Sequence, residues 1–479
     1  MARAKNLLII MSDEHRKDAM GCAGHPIVKT PNLDALAARG TMFENAYTPS
    51  PMCVPARAAV ATGAHVHQCR NWDSATPYDG SRRSWMHEVR EAGMHTASIG
   101  KLHYRSAADD NGFAEELLPM HVVGGTGWAI GLLRQNPPAY DEAAELAADV
   151  GSGPSSYTDY DRAITAAAED WLAQRAAEDT PWAGFVSLVS PHYPLTAPEE
   201  YFSMYDPAEM DMPVAWREGP PAHPELKNVA EFFAYDRHFD EQSMRAAKAA
   251  YYGLISFMDH CVGRVLAALE ASGQAEDTLV VYVSDHGDMM GDQGFWTKQV
   301  MYDASAGVPM IAAGPGIPAG HRTATGTTLL DLAATARRTA GLEPSTMPGR
   351  SLLTLANEPD DPDRTILSEY HDGGSRTGTF MVRWQHWKYV HYCGQDPQLF
   401  DLASDKHELK DLAQDPDFED ILSEGLRRLR DICDPDAVNR MAFEDQRGKI
   451  AELGGEEACA TAYCFNHTPT PSEQEALQG

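Results

Sequence analysis

Short apolar runs alternate with helical spacings up to about residue 315, the order expected of an α/β fold around a largely parallel sheet. Leu7–Met11, Thr96–Gly100, Phe185–Ser190 and Thr278–Ser284 show little polar alternation, so each reads as a strand buried on both faces. The clearest helix carries Tyr251, Leu254, Ile255, Met258, Val262, Val265, Leu266 and Leu269 at spacings of three and four, and Gly273 ends it. Asp259 and Arg264, between those positions, read as a solvated face. Residues 341–363, with Pro344, Pro348, Gly349, Pro359 and Pro362, have the composition of a linker. Beyond them, Phe380–Trp384 and Trp387–Tyr392 predict a hairpin of a smaller antiparallel sheet. From Pro435 onward the pattern is weak, and the last dozen residues read as an extended tail. The division expected is a catalytic α/β domain over 1–360 and a C-terminal sheet unit with its tail over 361–479.

Composition narrows the partners. With 479 residues, 43% of them hydrophobic, and 14 Phe, 18 Tyr and 9 Trp, the chain can bury a full core and is not a disordered polymer. Its 70 Asp+Glu against 39 Lys+Arg give a net charge of −31, which argues against nucleic acid and against an anionic membrane surface. A cationic small substrate and a salty habitat both remain compatible with that charge. No apolar run approaches the roughly 20 residues of a membrane span. Asn6–Met11 is too short for a secretory h-region and lacks a small-residue cleavage site. Eight cysteines in so long a chain do not make a disulfide framework, so a reduced, cytoplasmic protein is expected.

The chemistry gathers where strands end. Leu7–Met11 runs into Ser12-Asp13-Glu14, and Thr96–Gly100 into Lys101-Leu102-His103. Phe185–Ser190 runs into Pro191-His192, and Thr278–Ser284 into Asp285-His286-Gly287-Asp288. In an open parallel sheet ligands bind at the carboxyl ends of strands, so these groups can share one rim. Carboxylates with an imidazole suit a hard divalent cation. Lys101, His103 and His192 would stand beside it to bind an anion or move a proton. The most specific stretch is Pro51-Met52-Cys53-Val54-Pro55-Ala56-Arg57, closed by Thr62-Gly63. Pro55 and Gly63 place Cys53 at the start of a short helix, facing free backbone N–H groups that stabilise an anion. Other histidines, including His65, His67 and His371, read as structural or exposed. Cys459, Cys464 and His467 lack paired ligand spacing and are set aside as a metal site.

Cys-x-Pro-x-Arg followed by Thr-Gly resembles the signature of the formylglycine-dependent sulfatases of the alkaline phosphatase superfamily. The remaining motifs agree in order: Asp13, Gly100-Lys101-Leu102-His103, Pro191-His192-Tyr193-Pro194, Ser284-Asp285-His286-Gly287, Gly294 to Lys298, and Val308-Pro309. Trp387-Lys388-Tyr389 and Leu399-Phe400-Asp401-Leu402 resemble the family's small C-terminal sheet. The resemblance, over roughly residues 5 to 415, implies an alkaline-phosphatase-like sheet flanked by helices. It implies sulfuric ester hydrolysis, aryl or small alkyl, with Cys53 converted to formylglycine by a formylglycine-generating enzyme. One hydroxyl of the hydrated aldehyde would attack sulfur, and the other would later expel sulfate from the covalent hemiacetal.

The same resemblance makes Asp13, Asp285, His286 and the residue-53 oxygen ligands of one calcium, manganese or magnesium ion, with Glu14 a further candidate. It assigns Arg57 to orienting the diol, and Lys101, Lys298 and His192 to the ester oxygens. His192 or Lys298 would protonate the leaving alcohol, and His103 would be the base of the elimination. His286, where many members have Asn, and the lack of a secretion signal place the chain near the choline sulfatase and phosphonate monoester hydrolase branch. That branch usually has Asn after the Trp-Asp pair, whereas here Trp72-Asp73 is followed by Ser74, which makes Asp73 and Ser74 candidate substrate contacts. Gly307 stands where the family usually has Arg before Val-Pro. Phosphonate monoester or phosphodiester hydrolysis at the same site is the alternative activity, and a non-catalytic anion-binding relative is a third possibility. Assembly into a homo-oligomer through the C-terminal segment is also expected.

Overall fold

The computed structural model describes residues 4–140, 142–234, 237–342, 346–462 and 467–478. Eight strands build the main sheet: β1 (Asn6–Asp13), β2 (Thr41–Phe43), β3 (His95–Lys101), β4 (Glu115–Met120), β5 (Trp182–Pro191), β6 (Thr278–Ser284), β7 (Met310–Ala313) and β8 (His321–Thr323). Their order is β8-β2-β7-β6-β1-β5-β3-β4. The neighbours β6, β1, β5, β3 and β4 are all parallel, whereas β7 runs antiparallel to both β6 and β2. The four strands read from unalternating runs therefore lie side by side and end on one edge.

That lack of alternation has its cause in two cores. Along β1, Leu8 and Ile10 join the cluster on one face, while Leu7, Ile9 and Met11 join the cluster on the other. Each such fully buried aliphatic side chain contributes about 1.5–3 kcal/mol over its exposed state. The first face is covered by α2 (Ser156–Arg175) and α3 (Glu241–Ala271). The second is covered in part by α1 (Cys53–Thr62), through Ala58, Val60 and Ala61.

Asp259 departs from the sequence expectation. It is buried, and its carboxylate accepts hydrogen bonds from the backbone N–H groups of Asn32 and Leu33 (3.1 and 2.8 Å), capping the helix Pro31–Ala38 from outside. Periodicity identifies a helix's core face but not what docks on its flank. Arg264 sits at the surface and pairs with Glu169.

Past the short helical turn Leu352–Leu355, a second sheet forms from β9 (Ile366–Tyr370), β10 (Thr379–Trp384), β11 (Trp387–Tyr392) and β12 (Gln398–Asp401), all antiparallel. Pro344 of the expected linker lies outside the described residues. The small sheet carries α4 (Glu419–Ile432) and is stapled to the main domain by Lys388. The Lys388 Nζ, fully buried, reaches Asp303 Oδ1 at 2.5 Å and Glu408 Oε1 at 2.6 Å.

The weakly patterned segment from Pro435 holds α5 (Pro435–Glu452) and α6 (Glu456–Thr461), and the last dozen residues, expected to be extended, hold α7 (Pro471–Gln478). Asp434 caps α5 by accepting from the N–H groups of Asp436 and Ala437, and Pro435 opens it. Its buried stripe holds only Pro435, Val438, Ala442 and Gln446, too narrow and too polar to read as periodicity. Among the described residues, no helix is long and apolar enough to cross a membrane.

Candidate active site

Two of the rim residues are aimed by irregular strands. The pairing of β1 with β5 slips between Met11 and Asp13, and that of β3 with β4 slips between Ile99 and Lys101. A bulge of this kind re-aims the side chain that follows it. Gly100 permits the second one: its φ is +103°, and a Cβ there would stand 2.2 Å from the Ser187 carbonyl. As a result Lys101 Nζ lies 2.8 Å from Asp13 Oδ2, with both side chains fully buried.

Cys53 is the first residue of α1, and Gly63 closes the helix in the left-handed conformation. The thiol Sγ lies 3.0 Å from His286 Nε2 and 3.7 Å from Asp13 Oδ1. Asp13, Cys53, Asp285 and His286 offer ligand atoms that all fall within 4.8 Å of one another. His286 Nδ1 lies 3.0 Å from the Gly287 carbonyl, so the proton on Nδ1 leaves Nε2 as a lone pair facing the cluster. Two carboxylates, an imidazole nitrogen and the residue-53 side chain make a donor set that fits a divalent cation.

One turn along α1, the buried Arg57 joins the carboxylates. It donates through Nε to Asp285 Oδ2 (2.8 Å) and through Nη2 to Asp13 Oδ2 (2.9 Å). Nη1 donates to the Lys101 carbonyl and to Ser187 Oγ. Burial alone would raise the Asp13 carboxyl, but the Lys101 and Arg57 cations hold it well below the usual carboxylate range. Burial pushes the Cys53 thiol up to about 12, with the Asp13 charge adding to the effect, so as an unmodified cysteine it stays protonated.

Glu14 belongs to a different set from the four. Its Oε2 lies 3.1 Å from Lys298 Nζ and 3.3 Å from His192 Nε2, and its ligand oxygen clusters with Asp13 and His192 rather than with Cys53 and Asp285. Lys298 comes from a strained loop: Thr297 and Gln299 on either side have φ of +57° and +78°. A β-branched residue in that region is a costly conformation that concentrates at functional sites. His103 is buried, with neither ring nitrogen hydrogen-bonded, and burial together with Lys101 and Arg57 lowers its pKa well below the ordinary value.

A cavity of about 750 Å³, including its open mouth, rises from Cys53 and is lined by His103, His192, Lys298 and Ser74. The neighbouring Asp73 turns away, holding the Gln446 amide (2.7 Å) and the Ala75 N–H (3.0 Å). Ser74 donates through both N and Oγ to Asp372 Oδ2, at 2.8 and 2.7 Å. The far wall is apolar, formed by Val122, Trp128, Tyr140 and Phe233, and Trp128 and Phe233 stack at 6.1 Å.

His467 and Thr468 complete the cavity, and the sequence did not single them out for it. Tyr157, at the start of α2, meets the His467 ring edge-on at 5.0 Å and donates its hydroxyl to the Thr468 carbonyl at 2.8 Å. The only earlier signal was the set-aside grouping with Cys459 and Cys464, of which Cys464 lies outside the described residues. Nothing in local spacing announces that residue 467 returns to a rim built from residues 13 to 298.

Comparison with known proteins agrees with this geometry. The model of the family described as "Sulfatase" matches residues 5–342, and that described as "N-sulphoglucosamine sulphohydrolase, C-terminal" matches 291–434. A choline-sulfatase of Rhizobium meliloti (strain 1021) is 33% identical over 439 residues, covering 86% of this chain and 83% of that protein. Human arylsulfatase K is 30% identical over 440 residues, covering 86% and 79%. The phosphonate monoester hydrolase of Agrobacterium radiobacter shares the fold with a TM-score of 0.71 at 24% identity, covering 91% of this chain and 96% of that one. With a family match from residue 5 to residue 342 and relatives at 30% identity or more along most of its length, this chain belongs to the sulfatase family of hydrolases.

Proposed function

We propose that the protein hydrolyses a small organic sulfate ester with an apolar or quaternary-ammonium alcohol, using formylglycine made from Cys53 and one divalent cation. The observation that carries this reading is the meeting of Cys53 with Asp13, Asp285 and His286, where Cys53 also lines a cavity with an aromatic and aliphatic wall. Asp13, Asp285, His286 and residue 53 would hold the cation, which when bound would supply Lewis-acid character at the floor of the site. Arg57 fixes both carboxylates and keeps their charge balanced. Lys101 and Lys298 bind the non-bridging oxygens of the ester and offset the charge that grows in the transition state. His103, neutral and without a partner, takes the hydroxyl proton when the enzyme-bound sulfate is expelled. Asp73 supports its loop in this scheme, and Ser74 is the contact beside the substrate. Glu14 acts on Lys298 and His192.

The relative named choline-sulfatase makes choline sulfate the first ester to assay, and a wall of Trp128, Tyr140 and Phe233 suits a quaternary ammonium group. Phosphonate monoester hydrolysis is the second reading, supported by the fold shared with those hydrolases. Steady-state kinetics on a sulfate and a phosphonate ester of one phenol test the order, which a higher kcat/KM for the phosphonate would reverse. Intact mass is expected to show loss of the Cys53 sulfur in active enzyme, and Cys53→Ala to abolish turnover. Full activity with an unmodified Cys53 would refute the mechanism.

A further inference from the structure

A second group of donors lies in the C-terminal unit. His391 lies near the end of β11, Cys393 is the first residue of the turn that follows the strand, and Asp436 stands in the first turn of α5. An imidazole nitrogen, the thiol sulfur and a carboxylate oxygen from these three lie within 4.8 Å of one another. The imidazole is already oriented. Its Nδ1 lies 3.2 Å from the Tyr389 hydroxyl, while its Nε2 is buried and has no hydrogen-bond partner. A buried ring nitrogen is ordinarily satisfied, and a ligating histidine typically engages its other nitrogen with a neighbouring group, as here. The Cys393 thiol, 8% exposed, has the Pro435 carbonyl at 3.5 Å. Capping α5 does not require Asp436, because Asp434 does that. The charged groups facing the cluster besides Asp436 include the Arg134 cation and the Asp434 carboxylate near Cys393, and the Arg430 cation near His391.

We infer that His391, Cys393 and Asp436 form a site for a borderline-soft divalent cation of the zinc type, separate from the catalytic rim. One nitrogen, one sulfur and one oxygen donor are the mixture such ions accept, and magnesium or calcium would not take the thiol. Binding releases the thiol proton to solvent as the metal–sulfur bond forms, and exposure on the Asp436 side leaves room for a water ligand. The ion would tie the last strand of the hairpin to the corner between α4 and α5, ahead of the segment that returns to the cavity.

The probe is cobalt(II), with zinc as competitor, added to the full-length Cys53→Ser chain so that the catalytic cluster offers no thiolate. A near-ultraviolet thiolate-to-cobalt band saturating at one equivalent is expected, abolished by Cys393→Ser or His391→Ala and displaced by zinc. Asp436→Asn, at an exposed position unsuited to disrupt folding, should weaken zinc binding by at least about tenfold in that chain and, introduced into the chain that keeps Cys53, leave sulfatase turnover unchanged. Absence of the band, or its persistence in Cys393→Ser, overturns the site, as does unaltered zinc affinity in Asp436→Asn.

Discussion

Lys298 Nζ lies 2.9 Å from His192 Nε2, and His192 Nδ1 lies 2.7 Å from the Tyr193 carbonyl. A carbonyl only accepts, so the imidazole proton sits on Nδ1, and Nε2 accepts from the lysine ammonium. Burial first, then Lys298 and Lys101, lower the His192 pKa well below the ordinary value. A neutral ring with its lone pair toward Lys298 has no proton to give a leaving alcohol. Of the two candidate acids, the proposed mechanism therefore takes Lys298.

Lys298→Ala is therefore predicted to lower kcat/KM for an alkyl sulfate by about 10²–10⁴. An aryl sulfate with a nitro-substituted leaving group, which departs without a proton, should lose much less. Equal losses for the two esters would make Lys298 a binding group and return the acid role to His192.

The C-terminal wall makes a separate prediction. His467→Ala opens the cavity beside Tyr157 and should reduce kcat/KM by about tenfold, chiefly through KM, for esters whose alcohol fills the space. Tyr157→Phe, which removes the tie to the Thr468 carbonyl, should act in the same direction. Unchanged KM values across a series of alcohols in both variants would remove the segment from substrate recognition.

The strands and the meeting of Asp13, Cys53, Asp285 and His286 were legible because each polar group directly follows a run with no alternation, and the Cys53 run has a fixed spacing. His467, Trp128 and Phe233 were not, since their place depends on loops docking across the sheet edge, which leaves no trace in nearest neighbours. Asp259 misled for a related reason: a charged residue beside an apolar stripe looks solvated until the partner helix's free N–H groups are seen. Asp73 and Glu14 were expected as a substrate contact and a metal ligand, but one carboxylate turns toward Gln446 and the other toward Lys298. Direction at that scale is set by tertiary hydrogen bonds.

Lys388 tests the joint between the two sheets. Replacing it with Met leaves Asp303 and Glu408 buried beside each other without their shared cation, and should cost about 3–5 kcal/mol in urea unfolding. A change below about 1 kcal/mol would show that the joint does not depend on Lys388, with Lys17 sufficing to neutralise Asp303.

A pH effect is expected at Asp372. Burial, then the Asp73 charge, push its carboxyl up to about 7. With the folded pKa above the unfolded one, protonation favours the native state, and that stability is lost as pH rises through about 7. Asp372→Asn keeps an oxygen to accept from Ser74 and has no charge to acquire. The melting temperature of the parent should therefore fall relative to the variant between about pH 5 and 8. Parallel pH profiles would show that Asp372 ionises in the fold as it does in the unfolded chain.

The cavity has two builders of different ancestry within the chain. Bond cleavage depends on side chains anchored at strand ends, where any shift disturbs the sheet itself. In the proposed mechanism, selection of the alcohol depends on Trp128, on Phe233 at the end of the helix Pro224–Phe233, and on His467 in a late segment tied to Tyr157 and His121. Mutation can remodel the second group while the first stays fixed. A lineage built this way can change its diet of esters without having to reinvent its chemistry.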